Sequence, residues 1–143
     1  MSLSEKDKAR IKGFFSLVAD QAKDIGHQTL ARTLVVYPQT KVYFAHWKDL
    51  SPNSPNVKKH GYTVVKGVID SVDLIDNLND GLLNLSELHA FRLRIDPANF
   101  KILNSNLQIV LAMMYPAEFT PQVHVSVDKY LALLCMGLCE KYR

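Results

Sequence analysis

The sequence has little cysteine and no long apolar run, and each shortage excludes a class of protein. Its two cysteines, Cys135 and Cys139, are too few for a disulfide scaffold and have no zinc-type ligands nearby in sequence. The longest apolar run, residues 131–139, falls well short of the roughly 18 residues of a membrane span. The first residues carry no apolar signal core. We therefore expect a cytosolic protein without a membrane partner.

Concentrated charge and the common catalytic motifs are also missing. The formal net charge is +3, and the only adjacent basic pair is Lys58-Lys59, whereas nucleic-acid domains usually gather basic residues on one face. The sequence contains no Gly-rich phosphate loop and no Gly-x-Ser-x-Gly elbow. We expect no nucleic-acid partner. The length of 143 residues suits a single domain, residues 1–143, with one core.

Apolar residues recur at helical spacing along most of the chain, and no segment alternates convincingly at the period of two that is typical of strands. The pattern predicts an all-α fold of six to seven helices, one of them a short helix that includes residues 82–89. Two of the clearest stripes are Val57, Gly61, Val64, Val68 and Val72, and Phe100, Leu103, Leu107, Val110, Leu111 and Met114.

Caps and prolines predict where these helices begin and end. Ser4 with Asp7 three residues later resembles a capping box. Pro55 lies near the start of a helix, and Asp96-Pro97 and Thr120-Pro121 combine an N-cap residue with proline at the first helical position. Pro38 ends a helix that runs from about residue 20 to residue 36.

Two histidines lie within apolar stripes. His60 falls between Val57 and Val64, and His89 follows Leu85 by one helical turn. A buried imidazole needs a partner, since an unsatisfied polar group costs about 1–3 kcal/mol. Each could be a core histidine bonded to a neighbour, or both could face one bound haem. The spacing alone favours core histidines and leaves both alternatives open.

Several motifs together resemble the globin family, and within it the α-type chains of vertebrate haemoglobins. The resemblance covers essentially the whole chain in the family's order, and the start and residues 37–41 are similar to teleost fish chains. The motifs are Tyr43-Phe44-Ala45-His46-Trp47, Val57-Lys58-Lys59-His60-Gly61, Leu88-His89-Ala90, Asp96-Pro97-Ala98-Asn99-Phe100, Pro116-Ala117-Glu118-Phe119-Thr120-Pro121 and Lys141-Tyr142-Arg143.

The resemblance implies a globin fold around haem b and reversible binding of oxygen, or of CO as another small ligand. His89 is then the proximal iron ligand, and His60 is the distal residue that donates a hydrogen bond to bound oxygen. Phe44 wedges against the porphyrin, Val64 crowds the ligand site, and His46 reaches a propionate. The other implied pocket residues are Tyr43, Trp47, Leu85, Leu88, Leu93, Ile95, Asn99, Phe100, Leu103, Leu131 and Leu138.

The resemblance also implies β-type partner chains in an α2β2 heterotetramer, in the cytoplasm of red blood cells. One set of residues matches the contact that rearranges between quaternary states: Lys41, Tyr43, Arg94, Asp96 and Asn99. Tyr142 and Arg143 match the C-terminal residues whose ion pairs favour the low-affinity state. Phe119 and His124 match the more permanent contact. Gly26 and Gly61 match a close crossing of two helices, which glycine permits.

Some positions depart from the family pattern. The segment around Lys41 and Tyr43, which belongs to the rearranging contact, carries Gln39, Val42 and Ala45 where threonines and a proline are frequent in the family. Thr63 replaces an expected lysine. Serine and methionine stand at positions 105 and 114, where many α chains carry histidine. The chain has five histidines in all, and histidine is the residue that titrates near neutral pH. We therefore expect this chain to contribute little to the pH dependence of oxygen affinity.

Other functions remain open from the residues. The chain could be a monomeric oxygen-storage or ligand-sensing globin, a peroxidase-like or nitric-oxide-consuming haem enzyme, or a helical bundle without a cofactor. The distal residues His60 and Val64 supply one polar group, whereas peroxidase sites usually add more. We therefore expect no enzyme.

Overall fold

The computed structural model describes residues 2–78 and 97–139, and this part of the chain is built from helices without strands. Five α-helices are named here α1 (Glu5–Val18), α2 (Ala22–Val36), α3 (Pro55–Ser71), α4 (Pro97–Met114) and α5 (Pro121–Cys139). Short 3-10 segments cover Ala19–Gln21, Pro38–Phe44 and Val72–Leu74. The all-α prediction is confirmed. The predicted short helix at 82–89 lies outside the described residues.

The start of α1 shows the predicted capping box. The Ser4 hydroxyl accepts from the Asp7 backbone N–H at 3.0 Å, and the Ser4 N–H donates to the Asp7 carboxylate at 3.0 Å. The same buried carboxylate accepts from the Ser126 hydroxyl at 2.7 Å and from Lys129 Nζ at 3.2 Å. Hydrogen bonds from Ser4 and Ser126 hold the pKa of Asp7 well below its usual range. A local cap therefore also joins the first described helix to the last.

The other predicted helix starts are confirmed where the structure describes them. Pro55 is the first residue of α3, and the Ser54 hydroxyl accepts from the Val57 N–H at 3.2 Å. At α5, the Thr120 hydroxyl accepts from the Val123 N–H at 3.2 Å. The second helix begins at residue 22 instead of about 20, because residues 19–21 form a 3-10 turn.

The main core lies between α1, α2, α3, α4 and α5. In α3 the buried valines are Val57 and Val65, whereas Val64 and Val68 of the predicted stripe are half-buried. The face of α3 that packs in the core is therefore rotated slightly from the predicted one. Fully buried members of the main core include Ile11, Val18, Val110, Leu111, Val127 and Tyr130.

Helices α2 and α3 cross at Gly26 and Gly61, as predicted. A Cβ on Gly26 would overlap the carbonyl oxygen of Gly61 and lie 2.7 Å from the Tyr62 backbone nitrogen. A Cβ on Gly61 would overlap the carbonyl oxygen of Gly26 in the same way. Because the obstructing atoms are backbone, only glycine permits this approach.

The far end of α3 is tied to α5 by one buried polar pair. The hydroxyls of Ser71 and Tyr130 lie 2.5 Å apart in a buried position. Burial raises the pKa of Tyr130 to about 12. The pair gives the phenol a partner where water is excluded.

Cys135 is buried, as expected for a small apolar residue, and nothing is described of the Cys139 side chain. In the part of the chain that the structure describes, none of the helices has the length and apolar character needed to cross a membrane.

Candidate functional site

Three aromatic rings from two segments form a cluster beside the glycine crossing. Phe44 and Trp47 stack with ring centroids 4.5 Å apart and planes 24° from parallel. The His60 ring meets both edge-on, with centroids 5.2 Å from Phe44 and 5.6 Å from Trp47. The structure thus brings together three residues that the sequence assigned to one pocket. We call them the aromatic cluster.

The local folding explains why these rings meet. Ser54 and Pro55 set the start of α3, so that His60 follows Val57 by nearly one turn. Val57 is fully buried and packs with Leu30 and Leu34 of α2. Phe44, Trp47 and Leu50 pack against the same small core. Helix α3 is therefore fixed against α2 at the turn that carries His60.

The cluster is only half-buried, in contrast to the core beneath it. Phe44, Trp47, His60 and Val64 all keep part of their surface accessible. Other predicted pocket residues show the same partial burial, namely Tyr43, Asn99, Phe100, Leu103 and Leu138, whereas Leu131 is 1% exposed and belongs to the main core. Apolar side chains that are only partly covered are suited to contact an apolar ligand.

Polar side chains directly precede Phe44 and Trp47 in the chain. Asn99 donates from its side-chain amide to the Tyr43 hydroxyl at 2.8 Å, which joins α4 to the 3-10 segment Pro38–Phe44. His46 is exposed, and its ring centroid lies 5.7 Å from that of Trp47. An exposed imidazole beside an aromatic ring can donate a hydrogen bond to a carboxylate that approaches from solvent.

Several predicted site residues cannot be located. The predicted iron ligand, His89, falls outside the described residues. So do four predicted pocket residues, Leu85, Leu88, Leu93 and Ile95, and four predicted interface residues, Arg94, Asp96, Tyr142 and Arg143. Their roles stay predictions.

The predicted partner contacts differ in exposure. Lys41 and His124 are exposed, while Phe119 is 8% exposed and packs against Phe14 with ring centroids 5.3 Å apart. The His124 ring lies 5.0 Å from that of Phe119. Most of the Phe119 side chain is thus buried in the core, whereas His124 is exposed and accessible to a partner.

Sequence reasoning missed a set of exposed apolar residues. Val35 and Val36 on α2, and Ile109 and Met113 on α4, are between 42% and 61% exposed. These positions follow or lie between members of the buried stripes, so that a search for one apolar face per helix passes over them. Exposed apolar residues on neighbouring helices are typical of protein interfaces.

His27 was missed as well. Its ring Nε2 lies 2.7 Å from the Pro52 carbonyl oxygen, which joins α2 to the segment before α3. Together with Gln28, Arg32 and Asn53, it lines a cavity of about 270 Å³. No periodicity marks this residue, because the bond depends on how a loop folds back.

Comparison with known proteins agrees with this architecture. The family model described as "Globin" matches residues 27–138. The chain belongs to the globin family. This globin is 63% identical over 142 residues to "Hemoglobin embryonic subunit alpha" of Oryzias latipes, covering 99% of each chain. It is 62% identical to "Hemoglobin subunit alpha-2" of Cottoperca gobio and 59% identical to "Hemoglobin subunit alpha-1" of Anarhichas minor, each over the full length of both chains.

Proposed function

We propose that this globin binds oxygen reversibly and transports it as the α-type subunit of a haemoglobin. The observation that carries the proposal is the stacked Phe44–Trp47 pair with His60 held edge-on against both rings. The three relatives named above, all called haemoglobin α subunits, support it. We assign the function to the chain as one domain, residues 1–143.

The described residues fit haem b, a flat and largely apolar ring. The aromatic cluster offers accessible apolar surface together with one imidazole, and Val64, Leu103 and Leu138 add further half-buried apolar side chains. Haem supplies a ferrous iron that takes up oxygen or CO. The remaining predicted pocket residues complete the proposed binding surface, from Leu85 to Ile95.

Two histidines carry the proposed ligand chemistry. His89 would hold the iron through one ring nitrogen, as in haem proteins with a single proximal histidine. His60 would donate a hydrogen bond to the bound ligand, and the surrounding apolar side chains would exclude water and so strengthen that bond. The exposed His46 would meet a propionate of the haem.

We propose a β-type chain as the partner, in an α2β2 assembly in the cytoplasm of red blood cells. The exposed apolar residues on α2 and α4, with His124 near the start of α5, form a surface suited to a stable contact. Lys41, Tyr43 and Asn99, with Arg94, Asp96, Tyr142 and Arg143, form the proposed movable contact.

Haem titration of the full chain tests the ligand assignment. We expect saturation at about one haem per chain and loss of stable binding in His89→Ala, because the proximal bond is the only proposed covalent link to the iron. A matched control is His124→Ala, which removes a histidine distant from the aromatic cluster in sequence. Equal haem retention in both variants would contradict the assignment of His89.

Sedimentation of the haem-loaded chain, alone and mixed with a fish β-type chain, tests the partner assignment. A shift to a heterotetramer is expected only in the mixture. The second candidate function is that of a monomeric storage or sensing globin. The aromatic cluster and the half-buried Val64 and Leu103 all belong to this chain, so that candidate predicts oxygen binding with no change in sedimentation.

A further inference from the structure

The segment that carries Trp47 is shaped mainly by its own short hydrogen bonds. The Trp47 N–H donates to the Phe44 carbonyl at 2.9 Å, and the Ser54 N–H donates to the Ser51 carbonyl at 3.0 Å. The Asp49 carboxylate accepts from the Ser51 N–H at 2.9 Å. Because each of these bonds joins residues two or three apart, they define turns and do not fix residues 45–54 against α2.

Two features hold residues 45–54 against α2. The first is apolar packing of Trp47 and Leu50 on the small core that Leu30 and Leu34 form with Val57 of α3. The second is the bond from His27 Nε2 to the Pro52 carbonyl, at 2.7 Å. Within residues 2–78 and 97–139, this is the one hydrogen bond that joins α2 to the segment. A carbonyl oxygen only accepts, so His27 Nε2 must carry the proton.

The position of this bond relates it to the aromatic cluster. Phe44 closes the 3-10 segment on one side of Trp47, and Pro52 lies on the other side, just before α3 begins. Trp47 therefore lies between two attached residues, Phe44 and Pro52, and His27 holds Pro52. Without the bond at Pro52, residues 45–54 would be held at Ser54, which caps α3, and by the ring and apolar contacts of Trp47.

We propose that His27 is a positioning residue for the haem pocket: its bond to Pro52 keeps residues 45–54 seated on α2 and so keeps Trp47 stacked on Phe44 beside His60. The link to haem rests on the proposed function. The link between His27 and the segment rests only on the contacts above. His27 itself does not touch the cluster, so it acts through Trp47.

Hydrogen–deuterium exchange of the full chain, after incubation with haem, tests the proposal at the segment itself. We expect His27→Ala to speed exchange of the backbone amides of Trp47 and Ser54 about five-fold, the factor that corresponds to one net hydrogen bond. Release of haem to an excess of a haem-scavenging protein should accelerate by a similar factor. His27→Gln restores a donor near Nε2 and should return both rates close to wild type.

The matched control is Gln28→Ala, which removes a polar contact from the neighbouring residue of the same helix to Met114 instead of to the segment. It should leave both rates unchanged. Unchanged exchange in His27→Ala, or equal acceleration in the control, would overturn the proposal, as would failure of His27→Gln to restore the rates. If wild type takes up no haem, the proposed function fails, and exchange in the same samples still decides whether His27 holds the segment.

Discussion

The main core and the aromatic cluster differ in how completely their side chains are covered. In the main core, Val110, Val127 and Tyr130 are fully buried, and two polar residues that enter it, Asp7 and Ser71, are bonded within the chain. In the aromatic cluster, Phe44, Trp47 and His60 are packed together but only half-covered. Satisfied burial is typical of residues that stabilise a fold, and accessible apolar surface is typical of residues that contact a ligand.

The glycine crossing joins these two regions, and it should show the largest effect on stability. Gly26→Ala forces a Cβ into the backbone of Gly61, and we expect a loss of about 3 kcal/mol in the free energy of unfolding, the upper end for overpacked cores. Gly67→Ala is the matched control, since a Cβ there meets nothing within 4 Å. It should stabilise α3 by about 0.5–1 kcal/mol. Urea unfolding measures the stability of both variants. Equal effects would contradict the close approach of Gly26 to Gly61.

A change at His60 should separate ligand binding from stability. His60→Leu removes the proposed donor, and oxygen dissociation should accelerate about 10- to 100-fold, as expected for a hydrogen bond worth about 1.5–3 kcal/mol. CO dissociation serves as the internal control and should change much less, because bound CO carries less negative charge. Stopped-flow measurement of both rates decides. Equal acceleration for the two ligands would indicate a general disturbance of the pocket.

A smaller loss of stability is expected when the buried hydroxyl pair between α3 and α5 is broken. Ser71→Ala leaves the Tyr130 hydroxyl without its partner, at a cost of about 1–3 kcal/mol in the free energy of unfolding. Adding Tyr130→Phe removes the unsatisfied group and should recover much of that loss. Thermal unfolding of the single and double variants measures the coupling. Additive losses would show that the two hydroxyls do not depend on each other.

The least pronounced effect is a dependence of stability on pH at Asp7. Its folded-state pKa lies below the ordinary value of 3.8, so its contribution is present above about pH 3.8 and is lost as the pH falls through the folded value. Wild type should therefore exceed Asp7→Asn in thermal stability at pH 6, and the difference should narrow toward pH 3. A difference that stays constant over this range would contradict the role of the ionised carboxylate.

Local signals predicted the helix starts well, and tertiary contacts only in part. The Ser4–Asp7 cap and the Thr120 cap join residues three apart, so the sequence contains the whole motif. The bond from Ser126 to Asp7 joins residues 119 apart, and no local pattern specifies it. Similarly, periodicity gave the apolar face of α3 but not the precise rotation that buries Val65 and leaves Val64 half-exposed.

The candidate site was predicted through resemblance to globins and not through spacing. Spacing placed His60 on an apolar face but left open whether it was an ordinary core histidine. The stacking of Phe44 on Trp47 joins the last residue of a 3-10 segment to a residue beyond it, where the periodicity of α-helices and strands does not apply. His27 was not predicted at all, because its partner is a loop carbonyl 25 residues away.

The most direct test of the central claim is the absorption spectrum of the purified ferrous protein, first deoxygenated, then exposed to oxygen and deoxygenated again. A five-coordinate deoxy spectrum that converts reversibly to a stable oxygenated form is the predicted result, with His89 as the sole axial ligand and His60 left as a hydrogen-bond donor. A six-coordinate deoxy spectrum, or no haem spectrum after reconstitution, would contradict the proposed oxygen carrier.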